Sequence, residues 1–365
     1  MGLAERWGQM PFHFWSVVWF GLGAVVGSFL NVCIHRLPRG ESLVTPPSHC
    51  PHCQERIPWF LNIPLASWLS LRGRCGFCGA PIAARYFLVE LLTGLLFLGA
   101  WLAYGEQSPA LALVYCVALA GLVTATFIDL EHLMIPDGLT LGGAATGFLA
   151  SLLVPELHRT TNLGDALRSC LFGAGLGAAV IYSIVRLGKL ALGRQRLALA
   201  PQSRIYFTEE HLVLPDQQIP YGELFYRRSD AIVFEAERLE MVDRGYARVT
   251  VRLTQERLTI GAEEFAPESV PWMEVVTDEL VVPREAMGLG DVKFMAAIGA
   301  FCGWTGVLWA LLISAFLGSV VGVTLIALRR HARSNPIPYG PYLAVATAVW
   351  IFCGDRVLKW WLGNW

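Results

Sequence analysis

Two carboxylates stand where an apolar chain can least easily hold them. Asp129 closes the apolar run 110–128, and Asp291 ends the tetrad Gly288-Leu289-Gly290-Asp291, directly before the mainly apolar run 292–302. A carboxylate at bilayer depth is costly unless it is paired, solvated or protonated, so by default it marks a functional site. The glycines beside Asp291 let another backbone approach closely. Two carboxyl groups sharing one proton would supply both members of an acid–base pair. Spacing alone leaves a rival open, in which Asp291 caps its own helix and the pair serves a proton relay. Asp129 has no capping role available, because a carboxylate at a helix C-terminus meets the unfavourable end of the dipole. Asp137, after Pro136 and ahead of a new apolar run, reads as a helix N-cap.

The second chemical signal is Cys50-Pro51-His52-Cys53, a gap of 21 residues, then Cys75-Gly76-Phe77-Cys78. Paired C-x-x-C knuckles at this separation offer four thiolates to a tetrahedral Zn²⁺ in a closed structural site. Redox chemistry of the thioredoxin kind normally uses one such pair on a βα unit. His52, inside the first knuckle, is read as a bystander. The remaining cysteines (Cys33, Cys116, Cys170, Cys302 and Cys353) fall in apolar runs and read as small packing residues.

The elements that must position these groups are membrane helices. The chain is 55% hydrophobic and 16% charged, outside the range of soluble globular domains. Apolar stretches recur at 12–34, 87–104, 110–128, 139–154, 166–185, 307–328 and 343–362, with 292–302 as a shorter eighth. The fold class is therefore an all-α polytopic membrane protein of about eight transmembrane helices. It carries a four-Cys zinc-type insert and a small β-rich insert. The organisation expected is an anchor helix over 1–37, the four-Cys domain over 38–84 and transmembrane helices two to five with Asp129 over 85–192. The β-rich insert then covers 193–283, and the tetrad with helices six to eight covers 284–365. In the β-rich insert, Val249, Val251 and Leu253 alternate with polar neighbours, the period of a half-buried strand; 205–207 and 231–234 look similar.

Charge segregates along the chain. Residues 200–285 hold 17 of the 29 acids and 9 of the 28 bases, so the remainder is net basic. Its bases cluster as His35, Arg36 and Arg39; Arg72, Arg74 and Arg85; Lys189, Arg194 and Arg196; and Arg329, Arg330 and Arg333. By the positive-inside rule all four clusters, and with them both inserts, face the cytoplasm. The N-terminus then lies outside, and the first span is an uncleaved anchor, since 1–11 lacks a basic segment and no small-residue cleavage site follows. A turn at Gly303-Trp304 should be external. The twelve residues from Asp291 to Cys302 reach only about 18 Å at 1.5 Å per residue, against a hydrocarbon core about 30 Å thick. Asp291 is accordingly expected below the cytoplasmic membrane surface, in a wet, protein-lined cavity.

Taken in order, GSFLNVCIHRLP (27–38), the two C-x-x-C pairs, NIP (62–64), RYFLVE (85–90), IDLEHLMIPD (128–137), GLGDVK (288–293) and PYGPY (338–342) resemble the bacterial type IV prepilin peptidases. These are also called leader peptidase/N-methyltransferases. The resemblance covers residues 25–342 apart from 193–282, and is specific in combination. It implies a G-x-G-D aspartic protease of the inner membrane. Such an enzyme cuts the short basic leader of type IV prepilins or type II secretion pseudopilins, then methylates the new N-terminal amine with S-adenosylmethionine. Carried over residue by residue, the catalytic aspartates fall on Asp129 and Asp291, and the zinc-type thiols on Cys50, Cys53, Cys75 and Cys78. Gly73 and Arg74 match a segment tied to methylation, where many relatives carry Gly-Lys; Arg keeps the charge but not the geometry of Lys. The β-rich insert departs from the usual pattern, in which the fifth span joins the tetrad by a short loop.

The partners implied are prepilin or pseudopilin precursors and the lipid bilayer, with no nucleic acid. Two rivals have a basis in the residues. A proton-coupled transporter would also use intramembrane aspartates, but should show repeated halves and would not need the four-thiol insert. A non-catalytic zinc-bearing scaffold would keep the cysteines and tolerate loss of either carboxylate. No strand–Gly-rich turn–helix unit that would cradle a nucleotide-like cofactor is visible, so methylation rests on the resemblance.

Overall fold

The computed structural model describes residues 12–192, 194–215, 218–225, 230–283, 288–328 and 337–362, which form two compact units. One comprises Met1–Tyr182 and Gly288–Trp365, the other Ser183–Met287. The long helices are α1 (Phe12–Arg36), α2 (Ala84–Tyr104), α3 (Pro109–His132), α4 (Asp137–Leu153), α5 (Leu163–Leu192), α6 (Leu289–Ala327) and α7 (Gly340–Leu362). Six of the described helices, all but α4, are long and apolar enough to cross a membrane. With 17 residues, α4 falls just short in length. Their outward faces stay apolar, as a lipid solvent requires: Leu153 is 81% and Val323 68% exposed.

The 39 residues of α6 would measure about 58 Å as one straight helix, nearly twice the hydrocarbon thickness. The helix is broken at Gly303, whose φ of 65° and ψ of −176° lie outside helical space and suit a residue without Cβ. The break falls where the sequence predicts a turn.

Inside the helical unit small residues set the spacing. Gly173 of α5 and Gly299 of α6 face each other so closely that a Cβ on either would collide with the backbone of the other. The small-residue segment 299–302, expected to permit close packing, is buried throughout.

Between α1 and α2 the chain makes the four-Cys insert, with 3₁₀ turns at Leu37–Arg39 and Trp59–Leu61 and a short helix at Ala66–Ser70. Arg36, one of the bases counted for topology, is buried and donates to the carbonyls of Ser42 (2.8 Å) and Pro46 (2.6 Å). It fastens the loop where the insert leaves α1.

The second unit is an eight-stranded antiparallel sheet. Its strands are β1 (Arg194–Thr208), β2 (His211–Val213), β3 (Gln218–Pro220), β4 (Ile232–Met241), β5 (Gly245–Leu253), β6 (Leu258–Ile260), β7 (Glu263–Phe265) and β8 (Trp272–Pro283), in the order β3-β2-β1-β8-β4-β5-β6-β7. The three segments read as strands from their alternation belong to β1, β4 and β5. Ile205, Ile232, Leu239, Val251, Met273 and Leu280 make its buried core. The first and last strands pair with each other, Arg194 opposite Pro283 and Leu197 opposite Leu280, with a bulge between Ala198 and Ser203.

Candidate active site

Asp129 sits in the last turn of α3 and is 5% exposed. The poor electrostatics of that position are relieved by another helix. The backbone N–H of Gly340, first residue of α7, donates to Asp129 Oδ2 at 2.8 Å, so the carboxylate sits at the favourable N-terminal end of α7. A Cβ on residue 340 would lie 2.7 Å from Asp129 Oδ2, so glycine lets the carboxylate keep this place.

The same Cβ would lie 3.1 Å from Ile135 Cδ1. Ile135 belongs to the short connection between α3 and α4, and it also packs on the glycine tetrad: a Cβ on Gly290 would sit 3.4 Å from the Ile135 carbonyl. Asp129, Gly340, Ile135 and Gly290 therefore form one continuous contact chain that ends beside Asp291. Asp291 occupies the third position of α6, half-buried, with the backbone N–H of Gly288 donating to its carboxylate. The two carboxyl groups lie within electrostatic reach of each other. Tyr339, immediately before α7, lies within electrostatic reach of Asp291 and bonds Ser314 Oγ through its hydroxyl at 2.7 Å.

The N-cap expected at Asp137 is not observed. Pro136 holds the cap position without a side-chain bond, and Asp137 is the first helical residue. Its Oδ1 instead accepts from Lys293 Nζ at 2.6 Å, joining the N-termini of α4 and α6. A cationic partner from a neighbouring helix replaced the local one, and spacing along the chain cannot show such a partner. Asp291 is likewise not a cap; Gly288 is. Gly340, Ile135 and Lys293 all fall within motifs noted in the sequence, but only three-dimensional contact gives them their roles.

The four thiols meet. The sulfurs of Cys50, Cys53, Cys75 and Cys78 all lie within 4.8 Å of one another, and those of Cys50 and Cys78 are 3.8 Å apart. Four sulfurs at about 2.3 Å from a tetrahedral Zn²⁺ would be separated by about 3.8 Å, so the donor set fits that ion. His52 is not among the clustered ligands. The two halves are near copies. In each, the first cysteine's N–H donates to a carbonyl five residues on (Glu55, 3.0 Å; Ala80, 2.8 Å), and a left-handed residue, Gln54 or Gly79, follows the second cysteine. Backbone N–H groups of Cys78 and then Phe77 donate to the Cys75 sulfur and bring its thiol down to about 6.

Gly73 and Arg74 lie at the base of the second knuckle. Gly73 has φ of 67°, and its missing Cβ would meet the Trp68 indole at 2.9 Å. This glycine serves a tight turn under an aromatic ring, and Arg74 is exposed beside it. Glu90 ties the insert to the helices: the carboxylate is 9% exposed and accepts from the N–H of Leu65 at 2.7 Å. Leu65 has a φ of 63°, unusual for a non-glycine residue.

A bundle of apolar helices with two neighbouring carboxylates and a four-thiol insert defines the class, a helical membrane protein. Comparison with known proteins gives its lineage. Residues 22–104 match the Bacterial Peptidase A24 N-terminal domain, and residues 269–323 match the Type IV leader peptidase family. The chain is 31% identical to a prepilin leader peptidase/N-methyltransferase of Aeromonas hydrophila, covering 97% of this chain and 96% of that protein. A protein of the same name from Pseudomonas aeruginosa is 27% identical over 93% of this chain and 91% of its own length. One from Myxococcus xanthus is 47% identical over 176 residues, 46% of this chain and 48% of its own. No solved structure matches the chain. The chain belongs to the prepilin leader peptidase/N-methyltransferase family.

Proposed function

We propose that this chain is a membrane aspartic endopeptidase that removes the leader peptide of type IV prepilins or related pseudopilins, with Asp129 and Asp291 as its catalytic pair. The observation that carries the reading is the contact chain through Gly340, Ile135 and Gly290, which gathers two acids from distant parts of the sequence into one place. Two carboxyl groups so placed hold one proton between them. The ionised member takes a proton from water as the oxygen attacks the scissile carbonyl; the protonated member donates to the peptide oxygen. Collapse of the tetrahedral intermediate expels the amine, which receives a proton from the pair, and no acyl-enzyme forms.

We further infer eight membrane segments, counting α4 and the two halves of α6, with the acid pair and both inserts on the cytoplasmic side. The basic clusters and the interruption at Gly303 support this arrangement. The four thiols would hold a structural Zn²⁺, keeping the insert folded. N-methylation of the new terminus with S-adenosylmethionine is attributed through the names of the relatives. Gly73 and Arg74 are assigned to it through the matched segment alone, with Gly73 shaping the turn.

The test is cleavage of a pilin-type precursor by full-length protein in proteoliposomes. Asp129→Asn and Asp291→Asn should each lower the rate by about a hundredfold or more, with helicity and melting unchanged. Normal processing by both variants would remove the basis of the assignment.

A further inference from the structure

The four-Cys insert leaves large apolar side chains uncovered. Trp59 is 80% exposed, and Phe60, Ile63, Leu69 and Phe77 are exposed with it. Surfaces that face only water rarely gather so many in one place. Short-range contacts tie these residues to one region of the insert. The Trp59 and Phe60 rings meet edge to face, 6.0 Å between centroids. The N–H of Ile63 donates to Ser67 Oγ at 3.0 Å, which holds the end of this turn against the short helix Ala66–Ser70 that carries Leu69. Leu61, within the turn, packs on the second knuckle: a Cβ on Gly76, the residue before Phe77, would lie 3.3 Å from Leu61 Cδ1. The exposed charges of the insert are mainly basic, Arg39, Arg56, Arg72 and Arg74 against Glu41 and Glu55.

The level of this region is set by α2. With 21 residues, α2 measures about 31 Å, a length that a hydrocarbon core about 30 Å thick takes up entirely. The insert does not stop where that helix begins. The Trp68 ring packs on Phe87, 5.1 Å between centroids, and the Leu65 N–H bonds the Glu90 carboxylate. Phe87 and Glu90 are the fourth and seventh residues of α2, about 4.5–9 Å along its axis. The segment 59–69 therefore lies beside the first two turns of a membrane-spanning helix. That is the depth at which interfacial segments bury their apolar faces. Leu88, Leu92 and Leu95 begin an exposed apolar face of α2 at the same level.

From this we infer that the four-Cys insert is an interfacial membrane anchor, with Trp59, Phe60, Ile63 and Leu69 seated in the headgroup–acyl boundary and its arginines on lipid phosphates. Amphipathic aromatic rings favour that boundary, and the arginine fork suits phosphate oxygens. A second protein would have to reach the patch below the lipid surface, so the occupant is the bilayer itself. The insert is then held at its height by lipid as well as by Glu90.

The test uses full-length protein in proteoliposomes containing phosphatidylglycerol. The fluorescent residue acridonylalanine replaces Trp59 in one variant and Phe60 in another. Lipid brominated near the headgroup should quench both labels about twofold, and lipid brominated at the acyl end should quench them less, as a shallow depth requires. The same label in place of Leu95, about 16 Å along α2, should show the reverse order. Benzoylphenylalanine in place of Ile63 should form adducts with phospholipid. Labels at 59 and 60 that neither lipid quenches, or adducts at 63 confined to protein, a second copy included, would overturn the inference.

Discussion

At the scale of single residues, the acids were legible and their partners were not. An aspartate in an apolar run is conspicuous because it is expensive there, so Asp129 and Asp291 can be picked from the sequence by cost alone. Gly340 cannot. It belongs to the PYGPY run noted only for its resemblance, and its role depends on an amide meeting a carboxylate from a helix far away in the chain. Asp137 shows the same limit from the other side: its position after Pro136 suggested a cap, but the strongest donor within reach was Lys293. Gly340→Ala should leave the protein folded yet displace the Asp129 carboxylate, lowering cleavage by about a hundredfold; initial rates set beside a melting curve measure this. Wild-type rates would mean that the Asp129–Gly340 contact does not matter to the reaction.

At the scale of elements, the four-thiol insert was readable because a C-x-x-C spacing is itself a geometry, a knuckle whose two sulfurs must point the same way. What joins that insert to the bundle was hidden. Arg36 looked like one more cytoplasmic charge, but its guanidinium is spent on two loop carbonyls. Glu90, within a helix, holds the N–H of Leu65. Cys50→Ser together with Cys75→Ser should abolish zinc in the purified protein, measured by elemental analysis, and lower thermal stability. Activity should fall as a consequence of unfolding. Stoichiometric zinc retained in that double variant would defeat the assignment of the four sulfurs. Glu90→Gln keeps the shape but weakens a charge-assisted hydrogen bond, so it should destabilise by about 1–2 kcal/mol in denaturant titration.

At the scale of the whole molecule, hydropathy located the membrane helices and strand alternation located the sheet, since both are averages over many residues. Strand order was beyond reach: eight strands admit many pairings, and nothing local marks β1 as the neighbour of β8. Within the sheet, Leu239→Ala should destabilise the insert by about 2–5 kcal/mol, as a fully buried leucine in a packed core does; limited proteolysis of the 183–287 region reads this directly. Replacing everything between Leu197 and Leu280 by a tight two-residue turn should leave leader cleavage within about threefold of the full chain, since those residues are already cross-strand neighbours. A collapse of cleavage in a well-folded deletion variant would instead make the sheet part of the catalytic apparatus. Because the two ends of this polypeptide excursion are zipped side by side, the gene can gain, lose or exchange the passage without altering the span its termini must bridge. The pairing of β1 with β8 is thus a splice point, and lineages could hang quite different soluble modules on the same membrane protease.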